Sequence, residues 1–234
     1  MDYIELESVT STNTWAKEHL SELSPNPVVC ITANQQTGGR GRLNRSWVSP
    51  QGQNLYATFV FYLPAKTPMQ NLSQIISLSC AHVLRHTGFT AQIKWPNDIL
   101  ISGKKCAGVL CEIVGEYAIL GIGLNINMPK ELCEAIDQPA TSLLVEKHKE
   151  FSITAMRNDL AKEFEHDLKV FLSNGFAPFQ NAYNDLLASK DKPITLDHAG
   201  RPLTGIIKGV SSDGCLELEL ENGDMMKTTD YEII

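Results

Sequence analysis

The chain has 234 residues, of which 43% are hydrophobic and 20% are charged, with 20 Lys and Arg against 27 Asp and Glu. This composition indicates a soluble globular chain that can bury a core, and no apolar run approaches the ~20 residues needed to span a membrane. The six scattered cysteines form no C-x-x-C pair, which argues against a disulfide framework or a zinc site.

The first part of the chain predicts strands and one helix. The N-terminus, MDYIELESVT, carries acidic residues where a secretory signal has basic ones, so we expect a cytoplasmic protein. β-Branched and aromatic runs predict a buried strand at residues 27–33 and a central strand at 54–63. Apolar residues at helical spacing predict a helix over 69–87. His82 and His86 have the i, i+4 spacing of metal ligands, but within this amphipathic segment we interpret them as structural.

Four more strands are predicted in close succession, from the runs AQIKW, DILI, KKCAGVLCEIV and YAILGIGLNIN. Ser102-Gly103 and Gly115-Glu116 are typical hairpin turns between them. Such short links leave no room for helical crossovers, so we expect an antiparallel or mixed sheet.

Two helices and a small β-rich module complete the chain. Apolar steps of three or four predict a helix over 153–173 with Ser152 as its N-cap, and a second helix over 178–188. Beyond these, short alternating runs are separated by turn signals at Ala199-Gly200, Asp213-Gly214 and Asn222-Gly223. We therefore predict one domain over residues 1–188 and a small all-β domain over 189–234 that docks on it.

The basic residues are concentrated in one part of an acidic chain. Between Glu22 and Asp98 there is no acidic residue, whereas six Lys and Arg fall in that interval. Within it, the loop NQQTGGRGRLNRSW at residues 34–47 combines glycines, which permit close backbone approach, with arginines, which bind oxyanions bidentately. The pattern indicates a local anion site rather than a basic nucleic-acid-binding domain.

Conventional nucleotide-binding motifs are absent from the sequence. The glycines of the arginine loop lack the dinucleotide pattern, and no Ser or Thr follows the Gly103-Lys104-Lys105 run as in a P-loop. The nearby segment KWPNDILISGKKCAGVL presents a polar turn, at which Asn97 and Asp98 either face a ligand or bond their own backbone as a turn pair.

Five motifs then occur in a fixed order: TSTNTW (10–15), QQTGGRGRLNRSWVSPQGQNLYATF (35–59), KWPNDI (94–99), KKCAGVLCE (104–112) and GIGLNIN (121–127). Together they resemble the motifs of biotin protein ligases. The resemblance implies an α/β catalytic domain of the class II synthetase type with a mixed sheet, which binds biotin and ATP, followed by a C-terminal SH3-like barrel.

The resemblance also implies a two-step reaction. The carboxylate of biotin attacks the α-phosphate of ATP to give biotinyl-5′-AMP and pyrophosphate, and a lysine of a carrier protein then takes the biotinyl group. The implied partner is the biotin carrier of an acetyl-CoA carboxylase. Mg²⁺ is expected with ATP, held mainly by phosphates and water with help from Asn97 or Asp98, and no dedicated protein metal site is expected.

Site residues are assigned by the same resemblance. The catalytic residues are Arg40, Lys94 and Asp98; Asp98 either assists the metal or receives the proton of the incoming lysine. The biotin-binding residues are Ser11, Thr12, Asn13, Gln36, Gly39, Arg40, Gly41, Lys94, Gly108, Gly121 and Gly123. The nucleotide-binding residues are Arg40, Arg42, Trp47, Asn97, Lys105 and Asn125.

Several of these residues have a second interpretation. Ser11 also suits a helix N-cap, Trp47 suits core packing as well as an adenine face, and Asn125 suits a turn. The strand glycines can mark bulges, and we interpret Arg45 as a solvated loop charge.

The sequence departs from the family pattern in two ways. It begins at the catalytic motifs, without the N-terminal winged helix of bifunctional members, so no DNA binding is expected. Asn44 stands where the family often has glycine, and because Asn tolerates the left-handed conformation, the loop should persist.

Two other functions compete with this prediction. A lipoate ligase or octanoyl transferase has the same fold, but the polar residues near Gln36 and Ser11 favour a ureido ligand. A non-enzymatic nucleotide or RNA binder is disfavoured by the acidic composition. A homodimer through an exposed sheet edge near the GIGLNIN strand is a further expectation.

Overall fold

The computed structural model describes residues 1–24, 28–65, 67–198, 201–228 and 232–233. Seven strands form its main sheet: β1 (Asp2–Val9), β2 (Val29–Gln36), β3 (Leu55–Tyr62), β4 (Ala91–Lys94), β5 (Asp98–Ile101), β6 (Lys104–Val114) and β7 (Tyr117–Leu124). Their order across the sheet is β1-β2-β3-β7-β6-β5-β4, with β1 and β2 parallel and all other neighbours antiparallel. The predicted mixed sheet is confirmed.

Burial explains which strands the sequence revealed. β3 is buried from Leu55 to Phe61 because it lies in the sheet interior with both faces covered, and its apolar run predicted it. β1 was not predicted, because its pattern is mostly exposed and interspersed with acidic residues. Both predicted hairpin turns are present, at residues 102–103 and 115–116.

The strand GIGLNIN, considered as a surface for a homodimer, is not at a sheet edge, and the homodimer itself stays a prediction. β7 lies between β3 and β6 and is hydrogen-bonded along both sides. Among the described strands, β1 and β4 are the outer strands of this sheet. The strand named as a dimer edge therefore has no free edge to offer.

Helices cover both faces of the main sheet. They are α1 (Thr12–Glu18), α2 (Leu72–His86), α3 (Lys130–Glu134), α4 (Leu143–Lys147), α5 (Ile153–Asn174) and α6 (Gln180–Leu186). On one face, Phe164 of α5 packs against Phe59 and Phe61 with ring centroids 4.9 and 6.0 Å apart. On the opposite face, Ala16 of α1 packs in a smaller apolar cluster formed by Val29, Ile31, Val60 and Ile119. We call this second side of the sheet the α1 face.

The helix predictions are confirmed with small changes in their bounds. Ser152 caps α5 by accepting a hydrogen bond from the backbone N–H of Ala155 at 3.2 Å. The predicted helix at 69–87 begins as a 3₁₀ turn before α2. His82 on α2 lies with Nδ1 3.4 Å from Glu163 Oε1 on α5, where it joins the two helices. No described helix has both the length and the apolar character to cross a membrane.

The end of the chain forms a second, antiparallel sheet. Its strands are β8 (Pro193–His198), β9 (Arg201–Val210), β10 (Leu216–Leu220), β11 (Met225–Thr228) and β12 (Glu232–Ile233). Their order is β11-β10-β9-β8-β12. Gly214 and Gly223 have positive φ at the predicted turns, whereas Ala199-Gly200 lies outside the described residues. The division into domains at residue 189 stays a prediction.

The second sheet is docked on the main domain by buried polar contacts. Gln74 donates to the carbonyl of Gly214 at 2.7 Å, and Asn71 donates to that of Asp213 at 2.9 Å. Leu216 and Leu218 belong to the same apolar cluster as the core of the main sheet. The two sheets therefore share one core, as expected for a module too short to bury its own.

Candidate active site

A cavity of about 140 Å³ opens on the α1 face, between the sheet and the arginine loop. Of the residues predicted for the site, all but two line it: Ser11, Thr12, Asn13, Gln36, Arg40, Gly41, Arg42, Trp47, Lys94, Asn97, Asp98, Lys105, Gly108, Gly121 and Gly123. The two others are Gly39 and Asn125. Motifs spread over more than a hundred residues are thus brought to one place by the fold.

Strand register explains this convergence. Lys94 pairs with Asp98, Asp98 with Gly108, and Gly108 with Gly123. Directly paired residues on neighbouring strands point to the same face of a sheet. The charged turn of β4 and β5 and the glycines of β6 and β7 therefore form one row across the floor of the cavity.

A chain of polar contacts runs along one side of the cavity. Its members, in order, are Glu112, Asn13, Thr58, Thr12, Gln36, Ser49 and the backbone carbonyl of Trp47. We call this series the polar chain. It joins the sheet and the start of α1 to the arginine loop.

The biotin-side residues predicted from the sequence are central members of the polar chain. Thr12 donates to Gln36 Oε1 from its backbone N–H at 2.9 Å and from its hydroxyl at 3.2 Å. The hydroxyl of Thr58 lies 2.7 Å from Asn13 Oδ1 and 2.8 Å from Thr12 Oγ1, and its single proton serves one of them at a time. Ser11 occupies the N-cap position of α1, but its side chain makes no capping hydrogen bond. Ser11 is one of the residues that line the cavity.

The strand glycines allow protein side chains to approach the sheet. A Cβ on Gly121 would collide with the amide of Asn13, and a Cβ on Gly123 would collide with the indole of Trp47. A Cβ on Gly108 would lie 3.0 Å from Lys105 Cε and 3.1 Å from the same indole. Close approach, rather than a bulge, is what these positions require.

The remaining predicted glycine serves the loop itself. Gly39 accepts a hydrogen bond from the N–H of Trp47 at 2.9 Å, and a Cβ there would collide with the Trp47 carbonyl and with Ser49. The loop contains a left-handed residue, Leu43, with φ 52°. A left-handed leucine costs roughly 1–2 kcal/mol, so the loop holds this turn against its intrinsic preference.

Trp47 lies over the sheet at the centre of the site. The Lys105 ammonium is 5.5 Å from the centroid of its ring. Its Nε1 is buried and finds no hydrogen-bond partner among the described residues. A buried indole N–H normally has a partner, so the lack of one among the described residues is unusual.

Asp98 and Lys105 form an ion pair in the half-buried floor of the cavity, with Nζ 2.8 Å from Oδ1. Next to them, Arg42 donates to Asn97 Oδ1 at 3.3 Å, and Asn97 donates to the carbonyl of Val109 at 2.7 Å. Asn97 is therefore fixed by two neighbours and does not act merely as a turn residue.

Glu112 was missed by the sequence analysis. Its carboxylate accepts hydrogen bonds from Lys17 Nζ at 2.9 Å, from Asn13 Nδ2 at 3.0 Å and from Arg40 Nη2 at 3.2 and 3.3 Å. Burial alone would raise its pKa, but the hydrogen bonds from Asn13 and Lys17 and the charge of Arg40 together hold the pKa of Glu112 below its usual value. The alternation of β6 puts it on the same face as Gly108, which is the signal that could have revealed it.

A second cavity of about 590 Å³ adjoins the first and shares Arg45, Ser46, Trp47, Lys105 and Gln138 with it. Asn125 lines this cavity, but its amide donates to the carbonyl of Thr141 at 3.1 Å and accepts from Asn54 at 3.4 Å. These hydrogen bonds hold the segment after β7, and the nucleotide-binding role of Asn125 stays a prediction. Arg45 lies beside both cavities and is exposed.

Comparison with known proteins agrees with this geometry. Residues 5–127 match the Biotin/lipoate A/B protein ligase family. The chain is 31% identical over 222 residues to the bifunctional ligase/repressor BirA of Salmonella typhimurium, covering 90% of this chain and 67% of the relative. It is 28% identical over 208 residues to the biotin–[acetyl-CoA-carboxylase] ligase of Mycobacterium tuberculosis, covering 82% and 73%. The structure of biotin protein ligase from Aquifex aeolicus in complex with biotin and ATP superposes with a TM-score of 0.84 at 28% identity, covering 100% of this chain and 98% of that one.

Proposed function

Because the chain belongs to the biotin/lipoate A/B protein ligase family, we infer that it is an ATP-dependent biotin ligase. It activates biotin as biotinyl-5′-AMP and transfers the biotinyl group to a lysine of a carrier protein. The names of two relatives, from Mycobacterium tuberculosis and Paracoccus denitrificans, include acetyl-CoA carboxylase. The biotin carrier of such a carboxylase is accordingly the proposed acceptor.

One observation carries this proposal: the four cationic residues assigned to the substrates line the same cavity as a series of neutral polar side chains, with the loop residue Arg45 beside them. The cations are Arg40, Arg42, Lys94 and Lys105. Bringing a carboxylate to about 4 Å from a phosphate charge costs ~4 kcal/mol at an effective dielectric of 20. Fixed cations at the point of attack offset this repulsion and stabilise the phosphoryl charge that develops.

The two cavities suit the two substrates. The first, beside Thr12 and Gln36, offers hydroxyl and amide groups for the ureido ring, and the carboxyl end of biotin is proposed to lie among the cations that line it. The second and larger one suits the adenine nucleotide. Trp47 and Lys105 belong to both, so the bond between biotin and the α-phosphate is proposed to form beside them. The buried indole Nε1 is a donor that a bound ligand would satisfy.

The cavity suits Mg²⁺ only as a partner of the phosphates. Asp98 is the sole carboxylate in its lining among the described residues, and Lys105 already pairs with it. Mg²⁺ commonly takes one or two carboxylates together with phosphate oxygens and water. When bound, Mg²⁺ would neutralise phosphate charge. Asp98 and Asn97 are the residues that would hold it.

In the second step, the incoming lysine must attack as a neutral amine. Asp98 is less suited to take its proton than the sequence suggested, because its carboxylate is engaged by Lys105. We therefore assign Asp98 to holding Lys105 in place, where the ammonium faces both cavities.

An adenylation assay tests the proposed function. The purified protein is incubated with MgATP labelled at the α-phosphate and with biotin or lipoate in separate reactions. Labelled biotinyl-adenylate from biotin alone is the expected result. Adenylate from lipoate alone would retain the fold and mechanism but overturn the ureido pocket, and no adenylate from either acid would remove the proposal.

A further inference from the structure

Glu112 does not line the cavity, yet it contacts two residues that do. Its carboxylate binds Asn13 at the start of α1 and Arg40 in the arginine loop. These partners are 99 and 72 positions away in the sequence. An acidic residue in a site for two anionic substrates needs an explanation, since its charge would repel both of them.

The contact with Arg40 uses only one side of the guanidinium. Nη2 lies 3.2 Å from Oε2 and 3.3 Å from Oε1, so both carboxylate oxygens share one nitrogen. Among the described residues, no hydrogen bond or ion pair engages Nε or Nη1 of Arg40. A guanidinium carries five N–H groups in a rigid fork, so fixing one nitrogen orients the donors that remain.

Lys17 offsets the negative charge of Glu112. Its Nζ lies 2.9 Å from Glu112 Oε1, and both side chains are partly exposed. The three charges of Lys17, Glu112 and Arg40 sum to one positive charge, which is what Arg40 alone would contribute. The carboxylate therefore orients Arg40 without making the cavity less cationic.

We propose that Glu112 is a positioning residue: it anchors Arg40 through Nη2 so that Nε and Nη1 face the reacting carboxylate and α-phosphate, with Lys17 balancing its charge. This inference rests on the proposed function, because it concerns the same reaction. Glu112 also keeps donors from Lys17 and Asn13, so it stays hydrogen-bonded when Arg40 adjusts to the bound anions.

A double-mutant cycle tests this role. We expect Glu112→Gln to lower kcat for adenylate formation about 10- to 100-fold, the usual effect of misplacing a catalytic group by about 1 Å. The KM for biotin should change less than threefold. In the Arg40→Ala background, the same substitution should have almost no further effect. Glu112→Asp, which keeps the charge but shortens its reach, should also lower kcat.

The control is Glu116→Gln, an exposed residue at the turn between β6 and β7 that should leave the rate unchanged. An equal loss of kcat in the presence and absence of the Arg40 side chain would overturn the proposal. A rise in the KM for biotin alone would also overturn it, because it would mean that Glu112 acts through Asn13. A faster reaction in Glu112→Gln would make Glu112 a competitor for Arg40. If the wild-type protein forms no adenylate, the proposed function itself fails. If the wild type forms adenylate and Glu112→Gln forms it at the same rate, only this inference fails.

Discussion

Lys105 on β6 and Asp98 on the neighbouring β5 form an ion pair, with Nζ 2.8 Å from Oδ1, and the same ammonium lies 5.5 Å from the ring of Trp47. Each side chain is less than one-fifth exposed. A pair this sheltered fixes the ammonium more firmly than a surface ion pair would. It links the sheet to the arginine loop at the border of the two cavities.

Asp98→Asn should therefore slow both half-reactions by roughly 10- to 100-fold, because Lys105 loses its anchor and shifts from the phosphates. The measurement is adenylate formation from biotin and MgATP, followed separately by transfer from supplied biotinyl-5′-AMP to a carrier domain. Asp185→Asn, on the exposed side of α6, is the matched control. A loss confined to transfer would instead make Asp98 the proton acceptor of the lysine.

Gly121→Ala and Gly123→Ala should have different effects. Asn13 cannot move away from a new Cβ at 121, because its amide is held by the Leu110 carbonyl at 3.3 Å and by the Thr58 hydroxyl at 2.7 Å. We expect Gly121→Ala to lower the free energy of unfolding by about 1–3 kcal/mol, the usual cost of overpacking. Urea denaturation measures it.

At position 123 the new Cβ would meet the indole of Trp47, and we expect the arginine loop to shift and relieve this contact. Gly123→Ala should change the free energy of unfolding by less than about 1 kcal/mol but raise the KM for ATP roughly tenfold. Equal destabilisation by both substitutions would show that Trp47 is held as rigidly as Asn13.

Gly214→Ala should loosen the second sheet from the main domain. Gly214 has φ 81°, and a Cβ there would collide with the buried amides of Asn71 and Gln74. Overpacking and left-handed strain add, so we expect a loss of about 2–4 kcal/mol in the free energy of unfolding. Gly223→Ala is the control: φ is 84°, but nothing lies within 4 Å, so only the strain of about 1 kcal/mol remains. Equal losses in the two variants would contradict a tight docking contact.

Asp167→Asn should stabilise the protein at neutral pH. Burial raises the pKa of Asp167 although Ser79 donates to it at 2.7 Å; Glu163 raises it further, and His82 and His166 oppose the shift. An acid with a raised pKa in the folded state costs stability once ionised, and this cost disappears below its unfolded pKa of about 3.9. The gain in melting temperature should therefore be present at pH 7 and vanish near pH 4.

The control for that experiment is Asp159→Asn, on the exposed side of the same helix. It should show little effect at either pH. A melting temperature that falls at pH 7 in Asp167→Asn would mean that the carboxylate is needed for its bond to Ser79 more than its burial costs.

Local sequence patterns revealed the elements whose burial is regular. The apolar run of β3 and the periodicity of α5 follow from one or two fully covered faces, so their residues alone indicate them. β1 escaped because it is exposed on much of its surface and is fixed by pairing with β2, more than twenty residues away. The short helices α3 and α4 carry too few residues for a period.

The position of β7 within the sheet could not be read from its own sequence, for a related reason. Which strand is internal depends on pairing with β3, and no pattern within β7 encodes that partner. The same holds for the active site. The arginine loop and its neighbours were predicted from residue type, but the link from Glu112 to Arg40 needs the fold to bring two distant segments together.

The docking of the second sheet has a consequence for the order in which the protein is made. Gln74 and Gly214, which meet in the finished fold, are separated by 140 positions. At about 5–20 residues per second, a growing chain carries α2 for roughly 7 to 28 s before its partner exists. During that interval the amides of Asn71 and Gln74 lack these partners. The apolar surface that Leu216 and Leu218 later cover is also still uncovered. Completion of the core is thus timed by the last strands to be translated.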